Sequence, residues 1–138
     1  MSTFKVFDIA GSGMAAQSVR INTVASNLAN ANSVSGNASD VYRARHPVFE
    51  AVKGAMRGGE SAAAVRVTGI VESDAPAMAR YEPGNPLADP SGYVYAPNVN
   101  SVEEMVDMIS ASRSYQNNVE VMNTSKEMLL ATLRLGQS

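Results

Sequence analysis

Both ends of this 138-residue chain carry apolar residues at steps of three and four. Near the N-terminus Phe7, Ala10, Met14, Gln17, Ile21, Val24, Leu28 and Ala31 keep this spacing, and seven of the eight are apolar. Near the C-terminus Met105, Met108, Ser112, Tyr115, Val119, Met122, Lys126, Leu129 and Leu133 repeat it, with seven of nine apolar. Such spacing draws a narrow apolar seam along an α-helix, the pattern by which two helices pack in a coiled coil. It predicts an N-terminal helix within 1–35 and a C-terminal helix within 98–138. The second would run about 35 residues, roughly 50 Å. A core of the size this chain can build cannot bury that length. Its partners must be the first helix and something outside the chain.

The ends of these helices carry local signals. Ser101 with Glu104 three residues on reads as a capping box, and Asn100 with Glu103 is the alternative. Glu103, Glu104 and Asp107 also suit the positive end of the helix dipole. Arg134 followed by Gly136 reads as a stop. Gly11 and Gly13 interrupt the first seam, each costing about 1 kcal/mol relative to Ala inside a helix. The preferred reading is a frayed first turn. The other is a face of small residues for close helix contact.

Between the helices the pattern changes. "YRARHPVFEAV" (42–52) and "AVRVTGIVES" (64–73) read as strands, with Val65, Val67, Gly69 and Val71 alternating in the second. "AMARYE" (77–82) and "GYVYA" (92–96) are two further candidates. Gly58-Gly59 and "EPGNPLADPSG" (82–92) are turn and loop material, and "NSVSGNAS" (32–39) reads as a polar linker. The expected fold is mainly α with a small β-rich insert. The long terminal helices form an antiparallel coiled-coil-like hairpin. The divisions are 1–35 for the first helix, 36–97 for the β-rich middle and 98–138 for the second helix.

Composition excludes several functions. Net charge is −2, charged residues are 17% and no basic patch occurs, which argues against a nucleic-acid binder. The chain has no Cys, so disulfides and thiolate chemistry are excluded. No apolar run reaches transmembrane length, and Asp8, Gly11, Ser12 and Gly13 break the N-terminal segment as a secretory signal. The expectation is a cytosolic chain, or one exported without a cleaved signal. His46 is the only His and reads as a surface or half-buried strand residue. "GSG" at 11–13 lacks the strand and Lys of a phosphate loop, and no G-x-S-x-G motif occurs. Glu103, Glu104 and Asp107 are better explained by helix capping than by a metal site. The Met residues of the second helix read as adaptable packing. No catalytic residue, metal or cofactor is expected, and binding or assembly remains.

From Ile21 to Ser39 there is no Asp, Glu, Lys or Arg. A helix on a wet surface carries charge on its outer side, and this one offers Asn, Ser and Ala. Asn amides are costly in a dry core only when unpaired, and one buried Asn can set register between packed helices. The reading is that Asn22, Asn27, Asn30 and Asn32 face other copies or other chains; the bland alternative is solvated or locally capping amides. Expected packing positions are Met14, Ile21, Val24 and Leu28 against Met108, Tyr115, Met122 and Leu129, with Met105, Val119 and Leu133 on the same seam. Asn27, Asn30 and Asn32 are expected to make lateral polar bonds. Tyr93, Asn98 and Asn100 are expected to shape the loop that launches the second helix.

These stretches carry a resemblance. "DIAGSGMAAQSVRINTVASNLANANS" resembles the N-terminal signature of the bacterial flagellar rod and hook family. "PLADPSGYVYAPNVNSVEEMVDMISASRSYQNNVEVMNTSKEM" is similar to its C-terminal signature, and together they are more similar to the proximal-rod members than to the rest. The chain departs from many members where "VSGNASD" intervenes before Val41-Tyr42. The resemblance implies a structural subunit of the proximal rod, exported unfolded through the flagellar type III apparatus without a cleaved signal. It implies polymerisation into a hollow shaft that crosses the periplasm, passes exported subunits and transmits motor torque to hook and filament. The implied partners are other copies of the chain, other rod proteins (rod-base adaptor subunits and the next rod segment) and the export apparatus. No nucleic acid and no membrane insertion are implied. A soluble coiled-coil adaptor or export chaperone of a type III system is the alternative.

Overall fold

The computed structural model describes residues 3–53 and 63–136. Gly58 and Gly59, the expected turn, lie outside the described residues. In chain order the elements are α1 (Thr3–Asn30), β1 (Arg45–Lys53), β2 (Ala63–Glu72), β3 (Met78–Tyr81), β4 (Tyr93–Ala96) and α2 (Ser101–Leu135). The fold is mainly α with a small antiparallel β insert. Residue pairing between the helices runs in opposite order. Asn27 meets Glu104, and Gly13 lies against Asn118, so α1 and α2 are antiparallel.

α1 is continuous through both glycines, so its start is not a frayed turn. The two glycines differ in surroundings. A Cβ on Gly11 would meet nothing within 4 Å, whereas one on Gly13 would sit 2.9 Å from Asn118 Nδ2. Gly13 therefore marks a close approach of the two helices, and Gly11 does not. α2 spans 35 residues, as the spacing predicts. Its N-cap is Asn100, whose Oδ1 accepts from the Val102 and Glu103 amides at 3.1 and 3.4 Å. The Ser101–Glu104 box is not formed, because the Glu104 carboxylate is buried against Asn27 instead of turning back to the chain. Gly136 does end α2, but with right-handed φ −81° and ψ −8°, its N–H donating to Thr132 O at 3.1 Å.

The β insert forms two separate two-stranded sheets, β1 with β2 and β3 with β4. β1 and β2 pair from Arg45 opposite Glu72 to Lys53 opposite Ala63, with an irregularity between Val48 and Phe49. This ribbon lies on α1, where the Val65 amide donates to Ser12 Oγ at 3.1 Å. Segment 32–39 is not a free linker. Ser35 and Tyr95 exchange two backbone hydrogen bonds, 3.0 and 2.8 Å, which adds a one-residue partner to the outer edge of β4. Gly36 lies beside loop 82–92, where a Cβ would stand 2.5 Å from the Leu87 carbonyl oxygen; only Gly fits there.

The core is made of small residues. The buried apolar side chains are Ala10, Ala16, Val24, Val41, Ala44, Val94, Ala96, Val99 and Ala111. Among the described residues, the largest side chains fully removed from water are Val94, Asn27 and Pro97. The chain leaves 9214 Å² accessible, against about 6,900 Å² for a compact monomer of its 14.5 kDa. Long helices packed through small residues leave their larger apolar groups outside.

The two glycines give a paired prediction. Gly11→Ala, with open space for the methyl group, raises the melting temperature by about 3 °C through roughly 1 kcal/mol of helix propensity. Gly13→Ala gains less or loses stability, because Asn118 must give up its position. Thermal melts followed by circular dichroism check both; equal gains contradict the close contact.

Candidate functional site

Among the described residues, a hydrogen-bonded polar cluster lies where α1 ends, β1 begins and α2 starts. Asn27 is 0% exposed at its centre. Its Oδ1 accepts from the Arg45 amide at 2.9 Å and from the Tyr42 hydroxyl at 2.8 Å. Its Nδ2 donates to the Arg45 carbonyl oxygen at 2.9 Å and to Glu104 Oε1 at 3.0 Å. An Asn side chain has two acceptor sites and two donors, and all four are used. The amide pairs with both backbone groups of Arg45 much as a neighbouring strand would. Ser26 Oγ extends the network to Tyr42 at 3.2 Å, and the Arg45 guanidinium lies 5.4 Å from the centre of the Tyr42 ring.

The lateral polar bonds expected of Asn27 are made within its own chain, to Arg45, Tyr42 and Glu104, and they satisfy every polar atom of the side chain. The neighbouring amides differ. Asn30 is half-buried and donates to Ser26 O at 2.8 Å on its own helix, while Asn22 and Asn32 are exposed. Glu104 and Tyr42 were not foreseen as members of the cluster. Glu104 is 5% exposed, and its second oxygen, Oε2, is buried without a hydrogen-bond partner. One signal in the sequence points to it: Glu104, Ala111, Asn118 and Ser125 recur every seven residues, a row of polar and small side chains along one side of α2. Three of them, Glu104, Ala111 and Ser125, are the buried residues of α2.

A second set of contacts launches α2. Asn98 Oδ1 accepts from the Ala44 amide at 2.8 Å, and its Nδ2 donates to Ala75 O at 2.8 Å, so it joins the entry to β1 to the exit from β2. Asn100 caps the helix two residues later. Tyr93, 41% exposed, sets its ring edge-to-face against Tyr81 with centroids 5.2 Å apart. Gly92 beside it has φ +83°, a backbone conformation that favours Gly, and closes a turn in which Asp89 Oδ1 accepts from the Ser91 and Tyr93 amides. At the start of this loop, hydrogen bonds from Asn85 and then Arg80 hold the Glu82 carboxyl below its usual pKa.

The expected seam positions fall into groups. Val24 is buried. Met14, Ile21, Leu28, Met108, Tyr115, Val119, Met122 and Leu129 are half-buried. Met105 and Leu133 are exposed, each at 55%. Ala10, Gly13, Val24 and Asn27 lie toward the middle of the contact, and the larger apolar residues flank it. Arg20 bridges the helices to Asp107 at 2.7 Å; both are partly exposed, so the pair contributes at most about 1 kcal/mol. Asp107 and Glu104 thus have protein partners, and among the described residues no group of His, Cys, Asp or Glu is placed to hold a metal.

Two substitutions at Asn27 probe the cluster. Asn27→Leu removes four hydrogen bonds and strands the Arg45 backbone groups, destabilising the chain by about 3 kcal/mol or more. Asn27→Asp replaces both amide donors with a carboxylate oxygen set against Glu104 Oε1 and the Arg45 carbonyl oxygen, and destabilises the chain by a similar amount. Urea titrations measure both; an Asn27→Asp variant as stable as the unchanged chain contradicts the placement of Glu104 and Arg45 around the amide.

Comparison with known proteins covers the same elements. Residues 7–36, α1 and its exit, match the family model described as "Flagella basal body rod protein". Residues 91–135, β4 and α2, match that of "Flagellar basal body rod FlgEFG protein C-terminal". The chain is 55% identical to the flagellar basal-body rod protein FlgC of Salmonella typhimurium, over 99% of this chain and 100% of that one. It is 56% identical to the Escherichia coli O157:H7 FlgC, with the same coverage. It is 43% identical to the FlgC of Aquifex aeolicus over 96% of each chain. Similarity at this level along the whole length, helices and β insert together, means that the chain belongs to the FlgC family of flagellar basal-body rod proteins.

Proposed function

We propose that the chain is a structural subunit of the flagellar basal-body rod, and that it works by assembling rather than by catalysis. The observation that carries this reading is the similarity to FlgC rod proteins over the full chain. The geometry supplies a physical reason. α2 keeps Val102, Met105, Val106 and Ile109 between 55% and 70% exposed. Burying such residues against a neighbour contributes about 1 kcal/mol each. A subunit whose core is Ala and Val needs that contribution to hold helices of this length. An adaptor or chaperone that stays soluble would have to keep the same apolar groups in water, and the comparisons do not favour it.

The finer reading follows the family resemblance. The subunit sits in the proximal rod, in the periplasm, beside other copies and other rod proteins. It reaches that place through the flagellar type III export apparatus without a cleaved signal. The antiparallel helices act as a coiled-coil-like hairpin within a hollow shaft that passes later subunits and carries torque outward. A thin core suits that route, because contacts made on assembly offset the entropy of ordering a chain that travels unfolded.

Deleting the gene abolishes swimming, and supplying the chain restores it; normal swimming of the deletion strain contradicts the reading. Removing residues 129–138 leaves the chain expressed but stops rod growth, seen as basal bodies lacking a complete rod. Rods of normal length built from the truncated chain contradict a role for the end of α2.

A further inference from the structure

The β1–β2 ribbon is fastened to α1 at two points. At its base Asn27 holds both backbone groups of Arg45. Farther along, Ser12 Oγ donates to Ile9 O at 2.8 Å, and the Val65 amide donates to the same oxygen at 3.1 Å. From Asn27 back to Ser12 the helix covers roughly 22 Å. From Arg45 to Ala51, the residue opposite Val65, the strand covers about 20 Å. The ribbon therefore runs along α1 from one fastening to the other. Between them the pairing skips Thr68, with Gly69 opposite Val48 and Val67 opposite Phe49. Such a bulge bends its strand. Beside it, between ribbon and helix, lies a gap of about 330 Å³ lined by Val19, Asn22, Thr23, Ser26, Arg45 and Ile70.

The two fastenings are unequal. Asn27 is buried and makes four hydrogen bonds, whereas Ser12 makes a single exposed bond to the ribbon. Burial adds little to the weaker one. No ribbon residue whose exposure is described is buried, and only Pro47, Ala64 and Val67 are half-buried. Val48, Phe49, Val52, Val65, Ile70 and Val71 stay between 37% and 51% exposed. An element with so few buried contacts opens at a lower free energy than the rest of a fold. We infer that the β1–β2 ribbon is a hinged strap: it pivots at Arg45, its latch is the Ser12 hydroxyl, and it lifts from α1 while α1 and α2 stay paired. The Gly-Ser-Gly at 11–13 then has two functions, since Ser12 holds the strap and Gly13 admits Asn118. On the reading of the chain as a rod subunit, the strap is the element that can be set last, after the helices are in place. The strap itself does not depend on that reading.

The chain has no Cys, so a single introduced thiol reports which side of α1 is uncovered. Thr23 and Val24 are neighbours on that helix, 5% and 4% exposed. Thr23 lines the gap under the strap, and Val24 lies toward the middle of the contact with α2. Purified Thr23→Cys and Val24→Cys chains are treated with a maleimide carried on a polyethylene glycol too bulky for the gap, and labelling is followed with time by electrophoresis. If Thr23→Cys does not fold, as circular dichroism would show, Val19→Cys lines the same gap and replaces it. The expected result is labelling about ten times faster at Thr23→Cys than at Val24→Cys. Adding Ser12→Ala speeds the first about fivefold, the effect of one lost hydrogen bond, and leaves the second unchanged. Ser12→Thr, which keeps the hydroxyl, speeds neither. Equal rates at the two positions, both fast or both slow, overturn the strap, because α1 is then uncovered on both sides at once. A Ser12→Ala change that alters both rates alike, or neither, overturns the latch. These outcomes leave the rod-subunit reading untouched, and swimming of the deletion strain tests that separately.

Discussion

The side chain of Asn27 spends all its hydrogen-bonding capacity inside its own chain, and the arrangement of the other elements follows from that. It holds both backbone groups of Arg45, so it decides where β1 leaves the helices. It holds Glu104, so it decides the level at which α2 starts beside α1. Tyr42 closes the network from the connecting segment. A fully satisfied buried network admits one geometry, since any shift leaves a polar group stranded at a cost of about 1–3 kcal/mol. No apolar residue could do this, and Asp would lack the two donors. The uncharged stretch from Ile21 to Ser39 contains this amide, and the partners that a charge would have displaced are its own backbone and side chains.

A polar cluster can set geometry with little apolar volume, and the composition of the core agrees. Its apolar members are Ala, Val and Pro97, and the helices approach closely at Gly13. The larger apolar residues are placed elsewhere, on the β1–β2 ribbon, on the outer side of α2 and on its tail. In an isolated chain these are a liability, and on the proposed reading as a rod subunit they are where neighbours would bind. The proposed function would divide the tasks in the same way: internal polar bonds define the shape, and external apolar faces are left for neighbours.

Periodicity was a good guide to the elements. The strand expected at 64–73 overlaps β2, those at 77–82 and 92–96 contain β3 and β4, and the seam from Met105 to Leu133 lies in one unbroken helix. These signals are local, and each repeats several times within its element. The cluster was not legible in the same way. Asn27, Tyr42, Arg45 and Glu104 are far apart in sequence, and an amide's choice of partner leaves no period. Glu104 matched a capping box at the spacing of Ser101, and the local pattern hid its long-range partner. Gly11 and Gly13 look alike in sequence, yet only one touches the opposite helix. Segment 32–39 has the composition of a linker, but backbone hydrogen bonds between Ser35 and Tyr95 do not depend on side-chain type. The resemblance to rod and hook proteins supplied the family, and the structure supplied the direction in which each Asn points.

A density map of the assembled basal body, at a resolution that shows side chains, tests this account most directly. It predicts that Asn27 stays bonded to Arg45 and Glu104 of its own subunit, while the Val102–Ile109 side of α2 is covered by another chain. A map in which the Asn27 amide reaches a neighbouring subunit, or in which that side of α2 faces solvent, contradicts it.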